Sequence, residues 1–376
     1  MTADGPVAVG SMRDVVQQSD VIVCCGSGGV GKTTTAAIIG MDAARLGRSV
    51  VVVTIDPAKR LADALGLSMG LSSAPQRIGG VGVDMGAGGE MWAMMLDTAA
   101  TFDGLVRIYA DDEQQIDRIL SNRFYRNMAG AMSGTQEYMA AETLHALHND
   151  NRFDLVVVDT PPSRNALDFL DAPGVLSRFL DHRVFKLAML PTRSGLKVFG
   201  SAAQPFFKAI GRVVGSDVLA DSMAFFQAFS GMETGFRERA DDVVALLRAE
   251  RTNFVVVASP RHDTITEAVW LAQQLGDQGV GVAAAIINRV QPSFGVIDVP
   301  TGVEVPGASR DVVSALWKNL GELQQIRRAE LEALEPLVAL VEPAPIALLP
   351  LLDGDIHDLD SLDRAAQHLF LERNRC

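Results

Sequence analysis

Cysteine is scarce in this sequence. Its 376 residues contain three cysteines, Cys24, Cys25 and Cys376, and no Cys-x-x-Cys pair. No disulfide framework can be read from so few thiols, and this usage is typical of proteins kept in the reducing cytosol.

Long apolar runs and an excess of positive charge are also lacking. No stretch of 18 apolar residues occurs, and the segment Thr2–Asp20 has no apolar core of the kind found in signal peptides. Acidic residues outnumber basic ones by 46 to 33, and the net charge of −13 opposes nonspecific binding to nucleic acid or anionic lipid. We therefore expect a cytoplasmic protein without an integral membrane segment and without a nucleic-acid partner.

Short apolar runs are abundant, and they alternate with longer helical patterns. Runs this rich in Val, Ile, Leu and Met are typical of strands covered on both faces, and strand–helix repeats favour a parallel sheet. Residues 98–150 and about 184–250 instead show helical spacing with no strong strand between. The prediction is an α/β fold, a doubly wound and mainly parallel sheet in a single domain over 1–376, with an inserted helical subdomain. The predicted strands are Val21–Cys25, Val50–Ile55, Met91–Leu96, Leu155–Val158, Phe254–Ala258, Val280–Ile287 and Ala347–Leu352.

A glycine-rich segment after the first predicted strand matches the Walker A pattern of P-loop nucleotidases. Glycines allow successive backbone N–H groups to turn toward a phosphate, and the following helix adds the positive end of its dipole. The lysine is expected to reach the β- and γ-phosphates, and the threonine hydroxyl to ligate Mg²⁺. The sequence therefore predicts that ATP and Mg²⁺ bind here, the alternative being an ordinary Gly-rich turn. The predicted ligands are Gly26, Ser27, Gly28, Gly29, Val30, Gly31, Lys32, Thr33 and Thr34.

Two acidic residues follow predicted strands. Asp159 ends the run Leu155–Val158, where ligands of parallel sheets gather, and we expect it to hold the metal with Thr33. Asp56 follows Val50–Ile55 and precedes Pro57, a position from which it could orient or deprotonate an attacking water. The alternatives are that Asp159 caps the next turn and that Asp56 begins a turn, as Asp before Pro commonly does.

These segments resemble a known family. The pattern Gly-x-Gly-Gly-Val-Gly-Lys-Thr-Thr is similar to the deviant Walker A motif of dimeric ATPases that include the nitrogenase iron protein and the Min and Par proteins. Asp56–Leu61 and Asp159–Leu167 resemble switch I and switch II of arsenite-pump and tail-anchored-protein-targeting ATPases. Gly134–Ala140 is similar to a segment of bacterial members, in particular actinobacterial arsenite-pump-like ATPases that occur as pairs of unequal subunits.

The resemblance implies two protomers that face each other across their nucleotides and close when ATP binds. It assigns water activation to Asp56, which is expected to be catalytic together with Lys32 of the Walker A segment. It also assigns the adenine to Asn288, with backbone groups around Pro350 lining the base. For Asn288, a polar cap at a strand end is the alternative.

The sequence departs from the family at Ser27, where a signature lysine reaches the partner's phosphates. It also lacks the family's zinc-binding and arsenite-binding cysteines, and Arg261 stands where relatives often place a glutamate. The chain is therefore expected to pair with itself or with a related lysine-bearing ATPase. Two alternatives stay open, namely a catalytically weakened regulatory subunit and a Min- or Par-like positioning ATPase.

Methionines are frequent in the two helical stretches. Methionine suits adaptable apolar grooves, so a hydrophobic client protein is one predicted partner of these helices. The same pattern is also that of an ordinary helical core. The residues concerned are Met128, Met132, Met139, Met189, Met223 and Met232.

Overall fold

The structure is a computed structural model, and it describes residues 11–56, 60–79, 88–126, 135–161, 169–172, 174, 216–294 and 309–370. The chain divides into two compact units. The sheet unit comprises Met1–Met95, Asn151–Leu167 and Glu250–Cys376, and the helical unit comprises Leu96–Asp150 and Asp168–Ala249. The single domain with an inserted helical subdomain stays a prediction, and much of 184–250 lies outside the described residues.

The sheet unit contains an eight-stranded sheet in the order β3-β4-β2-β5-β1-β6-β7-β8. Every neighbouring pair is parallel except β3 and β4, which are antiparallel. The predicted α/β fold with a mainly parallel sheet is thereby confirmed. The strands are β1 Val21–Cys25, β2 Ser49–Thr54, β3 Gln76–Ile78, β4 Glu90–Met95, β5 Leu155–Asp159, β6 Thr252–Ala258, β7 Val282–Val290 and β8 Ile346–Pro350.

Seven of these strands correspond to predicted apolar runs, with ends that differ by a few residues. Strand β3 was not predicted, because three residues of the sequence Gln-Arg-Ile carry almost no hydrophobic signal. It adds to the edge of the sheet beside β4, where short strands with polar side chains are common.

Helices connect the strands and build the helical unit. Within the described ranges, none of them is both long and apolar enough to cross a bilayer. Their bounds are α1 Met12–Gln18, α2 Lys32–Arg45, α3 Arg60–Ala64, α4 Thr98–Tyr109, α5 Glu113–Leu120, α6 Thr135–His148, α7 Ser216–Phe229, α8 Glu233–Leu247, α9 His262–Asp277, α10 Arg310–Ala333, α11 Glu335–Val341 and α12 Leu359–Phe370.

The helical unit, built from α4 to α8, packs around its own core. Met139 and Met232 are buried in that core together with aromatic side chains, so these two methionines are core residues. Met223 is 36% exposed. Met128, Met132 and Met189 lie outside the described residues, and the client groove stays a prediction.

Candidate functional site

The glycine-rich loop joins β1 to α2 and requires glycine at two positions. Gly26 has φ 154°, and a Cβ there would lie 2.1 Å from the carbonyl oxygen of Val257 in β6. Gly31 has φ 96°, and its Cβ would lie 2.1 Å from Nδ2 of Asn288 in β7. Both are backbone conformations that L-residues rarely adopt, so the loop is closed against two strands only because side chains are absent.

Lys32 begins α2 and points back into the loop. Its side chain is 7% exposed, and Nζ donates to the carbonyl oxygens of Gly26 at 3.0 Å and Ser27 at 2.8 Å. Burial lowers the pKa of Lys32, while the carboxylate of Asp159 opposes that effect. Among the described residues, no carboxylate forms an ion pair with Lys32. A buried cation held by neutral carbonyls fits an anionic phosphate.

Thr33 and Asp159 are 126 positions apart in sequence and meet in the structure. The Thr33 hydroxyl donates to Oδ2 of Asp159 at 2.7 Å, and the Thr54 hydroxyl donates to the same oxygen at 2.9 Å. The other oxygen, Oδ1, is buried and has no hydrogen-bond partner among the described residues. Desolvation raises the pKa of Asp159 from 3.8 to about 6, although the two hydroxyls and Lys32 act in the opposite direction.

This oxygen set fits Mg²⁺. The ion is usually held by one or two protein oxygens, with phosphate oxygens and water completing the octahedron. Burying a carboxylate oxygen without a partner costs free energy, unless a cation or a hydrogen-bond donor binds to it. Thr33 and Asp159 are therefore the residues that would hold the ion.

Asp56 follows β2, two residues after Thr54. Its carboxylate forms an ion pair with Arg60 at 3.4 Å, and its backbone N–H donates to the Thr54 hydroxyl at 3.2 Å. Its charge contributes to raising the pKa of Asp159, so the two acids lie within electrostatic range. The residues that follow, 57–59, lie outside the described part of the chain, and a role for Asp56 in water activation stays a prediction.

A cavity of about 520 Å³ adjoins the loop at the carboxyl ends of β7 and β8. Asn288 lines it and is 7% exposed, and its Nδ2 donates to the carbonyl oxygen of Val30 at 2.8 Å. Asn288 thus links β7 to the glycine-rich loop by a hydrogen bond, and it also lines a cavity that could hold a nucleotide base. The other lining residues are Gly31, Thr34, Arg289, Leu349, Pro350, Leu351, Leu352, Asp353, Gly354, Asp355 and Ile356.

Ser27, the position at which the family resemblance predicts a lysine, is buried. It is 6% exposed, and its hydroxyl has no hydrogen-bond partner among the described residues. Its carbonyl oxygen accepts from Lys32. The position therefore contributes to the loop through its backbone, while its side chain presents no charge.

Sequence reasoning missed two residues of this site. The Thr54 hydroxyl donates to Asp159, and the sequence shows Thr54 only as a polar residue near the end of an otherwise apolar run, without indicating that it faces Asp159. Arg289 lines the cavity beside Asn288, and the sequence gives no sign of this because the backbone at Arg289 is irregular. Arg261 is 75% exposed and pairs with Asp263 at 2.9 Å.

Comparison with known proteins agrees with this geometry. Residues 19–295 match the model of a family described as anion-transporting ATPase. An ATPase GET3 of Malassezia globosa is 25% identical over 283 residues, covering 74% of this chain and 76% of that protein. An ATPase GET3 of Chaetomium globosum is 23% identical over 370 residues, covering 97% and 95%. A putative arsenical pump-driving ATPase 1 of Aquifex aeolicus is 22% identical over 355 residues, covering 93% and 78%.

Proposed function

We propose, since the chain belongs to the anion-transporting ATPase family and is an ATPase, that it is a Mg·ATP-driven dimeric switch. The switch is of the arsenite-pump and tail-anchored-protein-targeting type. Binding and hydrolysis of ATP alternate the pair between a closed and an open state. The helical unit carries the surface that binds a client or partner.

One observation carries this proposal. Thr33 and Asp159 come from distant parts of the sequence, share a hydrogen bond of 2.7 Å, and leave one buried carboxylate oxygen without a partner beside a buried lysine. A metal ligand pair next to a phosphate-binding cation is a recurring part of the sites that catalyse phosphoryl transfer.

Each residue of the proposed site has a defined role in binding or hydrolysing ATP. Backbone N–H groups of the loop and the charge of Lys32 bind the phosphates. The side-chain oxygens of Thr33 and Asp159 would hold the metal ion. Bound Mg²⁺ supplies positive charge to the phosphate oxygens. Asp56 orients the water and accepts its proton, while Asn288 and the backbone around Pro350 hold the base.

Nucleotide turnover of Lys32→Ala tests the assignment. Hydrolysis is expected to fall at least a hundredfold, since loss of one well-placed charge typically costs about 10²–10³ in rate. The matched control is Lys318→Ala, because Lys318 is 79% exposed on α10. Unchanged turnover in Lys32→Ala would refute the proposal, and so would an equal loss in both variants.

A second function is favoured by Ser27. A buried, uncharged residue at the position of the trans-acting lysine cannot complete a partner's site, so the chain is alternatively the regulatory half of an unequal pair. Such trans cations accelerate phosphoryl transfer by orders of magnitude. In that case the isolated chain turns over slowly, and a related lysine-bearing ATPase restores the rate.

Mixing experiments separate the two functions. The purified chain is assayed alone and after titration with a lysine-bearing relative from the same cell, with sedimentation reporting the assembly in ATP. A rate that saturates at one-to-one stoichiometry supports the unequal pair. Full activity of the isolated homodimer excludes it.

A further inference from the structure

Arg289 has an unusual backbone conformation. Among the described residues it is the one non-glycine residue with a positive φ, at 64°. L-residues avoid this region because Cβ approaches the carbonyl oxygen, and an arginine side chain cannot relieve the crowding by the local hydrogen bonds that Asn and Asp make. Residues held in this way cluster at ligand-binding sites.

A bulge at the end of β7 causes this conformation. Asn288 pairs with Leu349 of β8, and Val290 pairs with the next residue, Pro350, so Arg289 is the extra residue. Side chains of adjacent residues in a regular strand point to opposite faces. Here Asn288 and Arg289 line the same cavity, because the bulge redirects the second side chain toward the phosphate loop.

The guanidinium of Arg289 lies beside that loop with its charge available. Its Nη1 is 3.5 Å from the carbonyl oxygen of Gly29, a weak contact at the limit of hydrogen bonding. The described residues place no carboxylate within 4.0 Å of it, whereas Arg45 and Arg239 of the same chain form ion pairs. An exposed cation next to Gly29 suits an anionic ligand in the loop.

We infer that Arg289 binds the phosphate groups of the nucleotide held by the same chain, as a second cation beside Lys32. The inference rests on the proposed ATP site. Arginine suits the task because its planar fork binds phosphate through two parallel hydrogen bonds. It brings to the site a positive charge that Ser27 does not provide, although it does so within one protomer.

The test is the affinity for ADP of the ligand-free chain, measured by titration calorimetry, together with the melting temperature without ligand. Arg289→Gln removes the charge, Arg289→Lys keeps it, and Arg289→Gly removes it while relieving the backbone. Arg328→Gln on the exposed side of α10 is the matched loss of one positive charge elsewhere.

Arg289→Gln and Arg289→Gly are expected to bind ADP roughly tenfold more weakly, as loss of a charge-assisted hydrogen bond implies. Arg328→Gln is expected to stay within about twofold of the original chain. Arg289→Lys is expected to bind ADP more weakly than the original chain but more tightly than Arg289→Gln, because lysine keeps the charge without the planar fork. Arg289→Gly is expected to melt at the same or a higher temperature, because glycine accepts a positive φ.

Three results would overturn the inference. Unchanged ADP affinity in Arg289→Gln would exclude a contact, and a lysine variant as weak as the glutamine variant would indicate stacking on the base instead. A lower melting temperature of Arg289→Gly with unchanged affinity would make Arg289 structural. If the original chain binds no ADP, the proposed ATP site fails first, and the two failures are thereby distinguished.

Discussion

The two units of this protein are built from different side chains. The core of the sheet unit is mainly aliphatic, dominated by Val, Ile, Leu, Met and Ala from both the sheet and its helices, although Phe153 and Phe254 are also buried there. The core of the helical unit is rich in aromatic residues and contains all three tyrosines of the chain, Tyr109, Tyr125 and Tyr138, with six phenylalanines around them that include Phe102 and Phe236. Branched aliphatic side chains pack well on the pleated faces of a sheet, and aromatic rings bury a large area each in the core of the helical unit.

The buried polar groups differ in the same way. In the sheet unit, the unpartnered oxygen of Asp159 lies at the strand ends, where a metal is proposed to bind. In the helical unit, Glu142 pairs with Arg239 at 2.5 Å, yet its second oxygen and the hydroxyl of Tyr138 have no partner among the described residues. Burial, with Glu142 nearby, raises the pKa of Tyr138. The unpartnered carboxylate oxygen of the sheet unit therefore lies at the proposed metal site, whereas the unpartnered oxygens of the helical unit lie at no proposed site.

The largest effect is expected from breaking the aromatic core. Phe236 is fully buried and its ring lies 4.9 Å from Phe229, 5.2 Å from Tyr109 and 6.1 Å from Phe102. Phe236→Ala should cost about 3–5 kcal/mol, because it removes these contacts and leaves a cavity. Hydrogen exchange is expected to accelerate in the helical unit alone, with ADP affinity retained.

Phe294→Ala is the control for this variant, since Phe294 is 45% exposed. Equal acceleration of exchange in both units of Phe236→Ala would show that they unfold as one body, and the contrast between two separate cores would then fail.

Asp159→Asn is expected to lower the rate of hydrolysis without lowering the thermal stability of the protein. Hydrolysis is expected to fall about 10²–10³-fold, because the amide cannot supply the charged oxygen that the metal needs. Thermal stability without ligand should stay equal or rise, since burial of the carboxylate disfavours its charged form, as the pKa of about 6 indicates.

Steady-state rates across a Mg²⁺ titration and a melting curve in EDTA provide the two measurements. Asp277→Asn, at an exposed aspartate that ends α9, is the matched control. A variant that loses stability while keeping its hydrolysis rate would reverse the expectation on both counts.

The sheet unit was predictable because its chemistry is local in sequence. An apolar run followed by Gly26–Thr33 specifies strand, loop and helix in one segment, and Asp159 ends a run that reads as a buried strand. The contribution of Thr54 was not readable, because it depends on β2 lying next to β5. The orientation of Arg289 depends on how β7 pairs with β8, which no spacing in the sequence reveals.

A smaller effect is expected at the contact between β7 and the phosphate loop. Asn288→Ala removes the hydrogen bond to the carbonyl of Val30 and opens space beside Gly31. An unpaired buried carbonyl costs about 1–3 kcal/mol, so ADP should bind roughly tenfold more weakly. Asn253→Ala, which removes a hydrogen bond to Ser19 near the opposite end of the strands, should leave ADP affinity unchanged. Equal losses in the two variants would mean that the sheet responds as a whole.

The smallest effect is expected from the two adjacent thiols of β1. Cys24 and Cys25 are fully buried. Desolvation raises the pKa of Cys25 from 9.0 to about 12. Desolvation also raises the pKa of Cys24. The thiolate is the reactive form, so iodoacetamide at pH 8 should leave both residues unmodified in the folded protein and modify both after denaturation, as read by peptide mass spectrometry.

Between pH 9 and about 12 the unfolded thiol of Cys25 ionises first, so its contribution to stability should fall as the pH rises. Phe236→Ala should leave this protection intact, because both thiols belong to the sheet unit. Labelling of Cys24 in that variant would contradict the independence of the two cores.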